Sequence, residues 1–143
     1  MIKVVIDTNV FVRGLLNADS IPGQVLREWK NGRFLVVSSS EIVVEMQRVL
    51  NYPKIRVVLR KHGIHEDELK MFFSTLQFSA LLVDPSVTIA IISEDPSGNK
   101  FLACAEAADA KYLVSGDDHL LALHACKKTI ILPPREFLDI LIK

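Results

Sequence analysis

The sequence predicts an α/β fold, in which helices alternate along the chain with the strands of a parallel sheet. Short apolar runs rich in β-branched residues alternate along the chain with helical patterns, which is typical of βαβ units. The apolar runs are continuous rather than alternating with polar residues, as in strands buried on both faces of a parallel sheet. Hydrophobic residues make up 50% of the 143 residues, so the chain can bury a sizeable core.

Four of the apolar runs are predicted strands, because each is bounded by polar or turn residues. They are Ile2–Ile6, Phe34–Val37, Tyr112–Val114 and Thr129–Leu132. A fifth run, at Ala80–Val83 or Thr88–Ile92, fits either a strand or a helix.

Helices are predicted between these runs from their start and stop signals. A proline near the start and a glycine after the end delimit Asp19–Asn31. Ser38 and Glu41 form a capping-box pattern ahead of a helix at Ile42–Leu50, and the proline at position 53 ends that helix or begins the next. Further helical patterns lie at His65–Gln77, at Lys100–Asp109 and after Pro133–Pro134.

Composition excludes several classes of protein. The chain has 17 basic and 17 acidic residues and a pI near 6.9, so net charge alone would not hold a nucleic acid. Cys104 and Cys126 lie far apart and form neither a disulfide scaffold nor a cysteine zinc site. No apolar run approaches the roughly 18 residues of a membrane helix. We therefore expect one cytoplasmic domain, residues 1–143, with no membrane partner; its apolar composition leaves a homodimer plausible.

Two predicted strands deliver an aspartate to the same edge of the sheet. Asp7 follows the first of the four strands, and Asp117 comes shortly after the third. The carboxyl ends of parallel strands are where ligand sites form. Glu45 lies at the rim of the apolar face of its helix and is a third candidate. Each acid alone is also explained structurally, the aspartates as helix caps and Glu45 as a solvated partner of Arg48.

The three acids together favour a cation site. Converging carboxylates repel one another, and the cluster becomes favourable when it holds Mg²⁺ or Mn²⁺. Such ions activate water and stabilise the charge of an attacked phosphodiester. The sequence has no Gly-rich nucleotide-binding loop, no serine-hydrolase elbow and no cysteine or histidine cluster at zinc spacing. The sequence therefore favours metal-assisted chemistry on a phosphate group.

A basic stretch follows Glu45 and contains no acid between positions 48 and 62. Its basic residues are Arg48, Lys54, Arg56, Arg60 and Lys61. Tyr52 within it is available to stack on an unpaired base. A basic surface beside an acidic cleft suits a polyanion such as RNA, although a solvated helix face also explains the pattern.

Three segments of the chain resemble the PIN domain family. They are VVIDTNVFVRGLL, EIVVEMQRVL followed by YPKI, and NKFLACAEAADAKYLVSGDDHLL. The chain looks most like the PIN-family toxins of toxin–antitoxin systems, from Val4 to about Leu138. The resemblance implies a three-layer α/β/α domain with a parallel sheet of about five strands between the helices. It also implies a metal-dependent ribonuclease that acts on RNA and has an antitoxin protein as a partner.

The resemblance also assigns roles residue by residue. It implies Asp7, Glu45 and Asp117 as the acids that hold the ion, with Thr8, Asn9 and Ser115 as the small polar residues that support them. At a further acid the chain departs from the family, because Ser97, Gly98 and Asn99 stand there. Asn99 offers the ion a neutral oxygen, and Asp95 is the candidate substitute.

The sequence therefore predicts an endoribonuclease that cleaves single-stranded RNA, as the toxin of a toxin–antitoxin pair. One rival is a PIN-like module whose weakened site binds RNA or a partner protein without cleavage. Another rival is a phosphohydrolase with an aspartate nucleophile. Such enzymes usually carry a second acid two residues after the first, where this chain has Asn9. Metal-dependent cleavage of single-stranded RNA separates a nuclease from a binding module.

Overall fold

A mostly parallel sheet organises the computed structural model, which describes residues 1–85 and 96–143. Its strands are β1 (Lys3–Ile6), β2 (Leu35–Ser39), β3 (Leu81–Val83), β4 (Tyr112–Val114), β5 (Ala125–Cys126) and β6 (Thr129–Leu132). They lie in the order β3-β2-β1-β4-β6-β5. Every neighbouring pair is parallel except β5 and β6, which are antiparallel. The predicted α/β class with a parallel sheet is confirmed.

The predicted number of about five strands is wrong, because the described part of the chain forms six. The additional strand is β5, which has two residues and pairs with β6 as an antiparallel edge. A strand this short carries no hydrophobic pattern that a sequence could reveal. β3 lies within the predicted run Ala80–Val83, whereas the alternative Thr88–Ile92 lies outside the described residues.

Helices flank the sheet. They are α1 (Thr8–Leu16), α2 (Ile21–Lys30), α3 (Ser40–Leu50), α4 (Pro53–Lys61), α5 (Glu66–Ser79), α6 (Asn99–Ala108), α7 (Asp118–Leu121) and α8 (Pro134–Ile142). A short 3-10 turn, Pro96–Gly98, leads into α6. α6 packs across β1, β2 and β4, whereas α2 packs against α1 and α8. Within the described residues, no helix combines the length and apolar character that crossing a membrane requires.

The start of α3 differs from the predicted capping box. Ser39, rather than Ser38, is the N-cap, and its Oγ accepts a hydrogen bond from the Ile42 N–H at 3.3 Å. Ser38 still belongs to β2, where its side chain is buried and its Oγ has no hydrogen-bond partner in the described structure. The strand thus runs directly into the helix that carries Glu45.

An aromatic cluster fixes α1 against its neighbours. The buried ring of Phe11 meets Trp29 of α2 edge-on, with centroids 5.8 Å apart, and Phe72 of α5 at 5.6 Å. Edge-to-face pairs of this kind add roughly 0.5–1.5 kcal/mol each to the burial of the rings. Because α1 begins directly after β1, this cluster also sets where the residues at the end of β1 lie.

Candidate functional site

Asp7 lies at the junction of β1 and α1, with only 5% of its surface exposed. Its backbone N–H continues the sheet by donating to the Val114 carbonyl of β4 at 3.0 Å. Its carboxylate caps α1 by accepting a hydrogen bond from the Asn9 N–H at 3.3 Å. The end of a central strand therefore holds a buried carboxylate at the helix N-terminus, where the helix dipole favours negative charge.

Ser115 connects this carboxylate to the neighbouring strand. Its hydroxyl donates to Asp7 Oδ2 at 2.7 Å and accepts the N–H of Asp117 at 3.0 Å. Asp117 in turn caps α7, since its Oδ2 accepts from the Leu120 N–H at 3.1 Å. One buried hydroxyl thus sets the spacing between Asp7 and the loop that carries Asp117.

Glu45 reaches the same region from α3. The buried Thr8 hydroxyl, at the first residue of α1, donates to Glu45 Oε2 at 3.0 Å. This bond ties the middle of α3 to the start of α1, one residue from Asp7. The side chain of Glu45 is mostly covered, so its position is defined by the protein rather than by solvent.

The three carboxylates interact electrostatically at Asp7. Burial is the largest effect on the pKa of Asp7 and raises it above the ordinary value. Hydrogen bonds from Ser115 and Asn9 lower the pKa, and the negative charges of Glu45 and Asp117 raise it again. In sum the pKa is raised, so the site holds negative charge at a cost that a bound cation would offset.

Lys100 is a site residue that the sequence reasoning missed. Its Nζ lies 3.3 Å from Glu45 Oε2, and only 12% of its side chain is exposed. One sequence signal could have indicated it. Lys100 is the second residue of α6, whose first turn has no acid, and a lysine there opposes the helix dipole. A lysine at such a position needs a specific partner.

A cleft of about 390 Å³ opens beside Glu45. Its lining residues are Ser40, Glu41, Val44, Glu45, Arg48 and Lys100. Arg48 is exposed on α3, one turn beyond Glu45. The cleft therefore combines two glutamates with two cations, and its exposed arginine could contact a phosphate group beside Glu45.

The rest of the basic stretch lies mainly on α4. Lys54, Arg60 and Lys61 are exposed there. Arg56 is instead partly buried, since its Nη1 lies 2.6 Å from Glu66 Oε1 of α5 and its Nη2 donates to the Asn51 side chain. Arg56 thus joins α4 to α5, whereas its neighbours extend toward solvent.

The other predicted site residues lie around this cluster. Asn9 is exposed on the first turn of α1, and Asn99 is the partly buried first residue of α6. Asp95 lies outside the described residues. Within residues 1–85 and 96–143, no group of three or more histidine, cysteine, aspartate or glutamate side chains is placed to hold a metal ion.

Comparison with known proteins identifies the family. The model of the PIN domain matches residues 3–119, which include β1, α3 and the loop after β4. The chain belongs to the PIN domain family. An uncharacterized protein of Methanocaldococcus jannaschii is 27% identical over 146 residues, covering 96% of this chain and 90% of that protein. No solved structure gives a significant match. PIN domains are generally nucleases.

The donor set of this PIN domain suits a divalent cation by its chemistry, although the described residues do not place three such acids together to hold one. Asp7, Glu45 and Asp117 offer hard carboxylate oxygens, which Mg²⁺ and Mn²⁺ prefer. Burial raises the pKa of Asp7, and the negative charges of Glu45 and Asp117 raise it further; a cation would relieve that repulsion. Asn99 could add a neutral oxygen beside them.

Replacing Ser115 by alanine should destabilise this PIN domain. The change leaves Asp7 Oδ2 without its hydroxyl donor and the Asp117 N–H without its acceptor. Burying unsatisfied groups costs roughly 1–3 kcal/mol, measurable by urea denaturation. Ser38→Ala is the matched control, because Ser38 is equally buried but its Oγ has no partner in the described structure. Equal losses in the two variants would contradict the role given to Ser115.

Proposed function

We propose that this PIN domain is a Mg²⁺- or Mn²⁺-dependent endoribonuclease that cleaves single-stranded RNA. The observation that carries the proposal is the buried Asp7 carboxylate, which Ser115 links to the loop of Asp117 and which lies one residue from Thr8, the hydrogen-bond donor to Glu45. These three acids would hold the ion, with Asn99 or Asp95 completing the site. A bound ion would supply an activated water and stabilise the charge of the attacked phosphodiester.

The chain's own residues have three tasks in this proposal. Thr8 and Ser115 hold the carboxylates of Glu45 and Asp7 in place through their hydroxyl groups. Arg48 lies in the cleft beside Glu45 and would bind the phosphate backbone of the substrate. No three acids of the described residues are placed together to hold a metal ion, so binding an ion here would require the three acids to approach one another.

Cleavage of a labelled single-stranded RNA with and without Mn²⁺ tests the proposal. The parent protein should cut only when metal is present, and Glu45→Gln and Asp117→Asn should each lose the activity. Asp139→Asn, a change of the same kind at an exposed position on α8, should retain it. RNA binding without cleavage at any Mn²⁺ or Mg²⁺ concentration would instead support the alternative, a PIN module that binds RNA or a partner protein.

The roles of Asn99 and Asp95 are separable by calorimetric titration of Mn²⁺. If Asn99 stands at the place of the missing acid, Asn99→Asp should tighten Mn²⁺ binding, because an added carboxylate increases the charge of the ligand set. If Asp95 already fills that place, Asn99→Asp should change little and Asp95→Asn should abolish binding. No response in the parent or in either variant would remove the metal site.

The exposed basic residues should bind RNA through its phosphates. Arg60→Ala should weaken RNA binding and lower the slope of log affinity against log salt by about one. Arg56→Ala should in addition lower the stability by roughly 0.2–1 kcal/mol, because it breaks a partly exposed ion pair with Glu66. Arg135→Ala on α8 removes the same charge outside the stretch. An unchanged salt slope in Arg60→Ala would identify the stretch as a solvated face.

We further propose that the protein is the toxin of a toxin–antitoxin pair, on the resemblance of its motifs to such toxins. Expression of the parent should arrest growth of a host cell, whereas Asp117→Asn should not. Co-expression of the protein encoded by an adjacent gene should restore growth and co-purify with the nuclease. Growth arrest that the product of no neighbouring gene relieves would contradict the antitoxin but not the nuclease.

The predicted homodimer is tested by sedimentation of the purified protein.

A further inference from the structure

Three contacts with residues that the structure describes hold Lys100 at the site. Its ammonium pairs with Glu45 Oε2 at 3.3 Å, donates to the Ser97 carbonyl and lies 5.0 Å from the centre of the Phe101 ring. Only 12% of the Lys100 side chain is exposed, so protein rather than solvent surrounds most of it. A lysine covered to this extent is stable only when nearby groups replace the lost water.

Lys100 lies in the first turn of α6, where a positive charge is unfavourable, so its ammonium depends more strongly on the negative charge of Glu45. The N-terminus of α6 carries partial positive charge, which disfavours a cation in the first turn. The negative charge of Glu45 must therefore compensate for both dehydration and the helix dipole. Thr8 binds the same oxygen, Oε2, so the lysine and the threonine together fix one side of the Glu45 carboxylate.

We propose that the Lys100 ammonium is the built-in counter-ion of the acidic cluster, neutralising Glu45 in the metal-free protein and thereby weakening the binding of a divalent ion. The inference rests on the proposed metal site and deepens it, since it names the residue that regulates access of the ion to that site. A cation that approaches Glu45 meets the positive charge of Lys100 at short range. To bind Glu45, a divalent ion must either displace the Lys100 ammonium or remain close to its positive charge.

A double-mutant cycle in the presence of EDTA tests the counter-ion without metal or substrate. The variants are Lys100→Met, Glu45→Gln and the double substitution, with the free energy of unfolding measured by urea denaturation. Each single change leaves one charge of the pair uncompensated, so the double variant should lose less stability than the sum of the two single variants. Additive losses would overturn the proposal.

Mn²⁺ titration tests the effect on the ion. Lys100→Met should bind Mn²⁺ about tenfold more tightly than the parent, because the repelling charge close to the ion is gone. The matched control is Lys127→Met, which removes a lysine that also pairs with a glutamate, Glu106 in the last turn of α6. Lys127→Met should bind Mn²⁺ with the same affinity as the parent. Equal or weaker Mn²⁺ binding by Lys100→Met would overturn the proposal.

The two experiments separate this inference from the proposed function. Additive stabilities combined with Mn²⁺ binding by the parent would overturn the counter-ion and leave the metal site standing. Absence of Mn²⁺ binding in both the parent and Lys100→Met would overturn both, because no ion would then be regulated. Should Lys100→Met fail to fold, Lys100→Gln enters the same cycle and the same titration, with the same outcomes deciding.

Discussion

Replacing Asp7 by asparagine should abolish RNA cleavage and at the same time stabilise the metal-free protein at neutral pH. The loss of activity should exceed about a hundredfold, which is the upper range for changes to residues that merely support metal ligands. Asparagine is as good an N-cap as aspartate, so α1 keeps its start. The gain in stability arises because asparagine carries no charge into a buried site beside Glu45 and Asp117.

The gain in stability of Asp7→Asn over the parent should increase as the pH rises. Burial and neighbouring charges raise the pKa of Asp7, so the folded protein binds this proton more tightly than the unfolded chain does. The parent therefore loses stability as the pH rises from about 4 through the raised pKa, whereas Asp7→Asn has no such loss. Urea denaturation in EDTA at several pH values measures the difference, with Asp139→Asn as the control. A difference that stays constant with pH would contradict the raised pKa.

Replacing Phe11 by alanine should cause the largest loss of stability of any variant considered, about 3–5 kcal/mol. The ring is fully buried between Trp29 and Phe72, and its removal leaves a cavity in the cluster that joins α1, α2 and α5. Thermal or urea denaturation measures the loss. Phe11→Leu, which refills part of the space, should recover part of it.

Phe78→Ala is the matched control for this prediction. Phe78 lies on α5 with 89% of its surface exposed, so the same chemical change should alter the stability by no more than about 0.5 kcal/mol. A large loss at Phe78 would show that this ring is covered in solution. A small loss at Phe11 would show that α1 is not held by the aromatic cluster.

Much of the sheet could be predicted because its central strands are short runs of β-branched residues. Tyr112–Val114 and Thr129–Leu132 have the predicted bounds, and the register of β4 against β1 places Val114 beside Ile6. α1 was not predicted, because Val10 to Val12 favour strand by propensity and Gly14 disfavours helix. Packing of Phe11 against two other helices overrides that local preference.

The candidate site was predictable to the extent that its residues follow strands. Asp7 and Asp117 come directly or shortly after β1 and β4, which are neighbours in the sheet. Sequence spacing does not give partners that depend on tertiary contacts. The Lys100–Glu45 and Arg56–Glu66 pairs each join two different helices. A lysine in the first turn of α6 indicates that Lys100 needs a partner, but not which residue that partner is.

The hydrogen bond between Ser115 and Asp7 spans 108 positions of the chain. During synthesis, β1 and Asp7 leave the ribosome long before Ser115, the hydroxyl donor to the Asp7 carboxylate, has been translated. An emerging chain therefore has the first acid but not β4, and it cannot assemble the cluster until Ser115 and Asp117 have been translated. If the protein is the ribonuclease proposed, this order of events protects the messenger and the ribosome that are making it, because the earlier part of the chain has no catalytic competence.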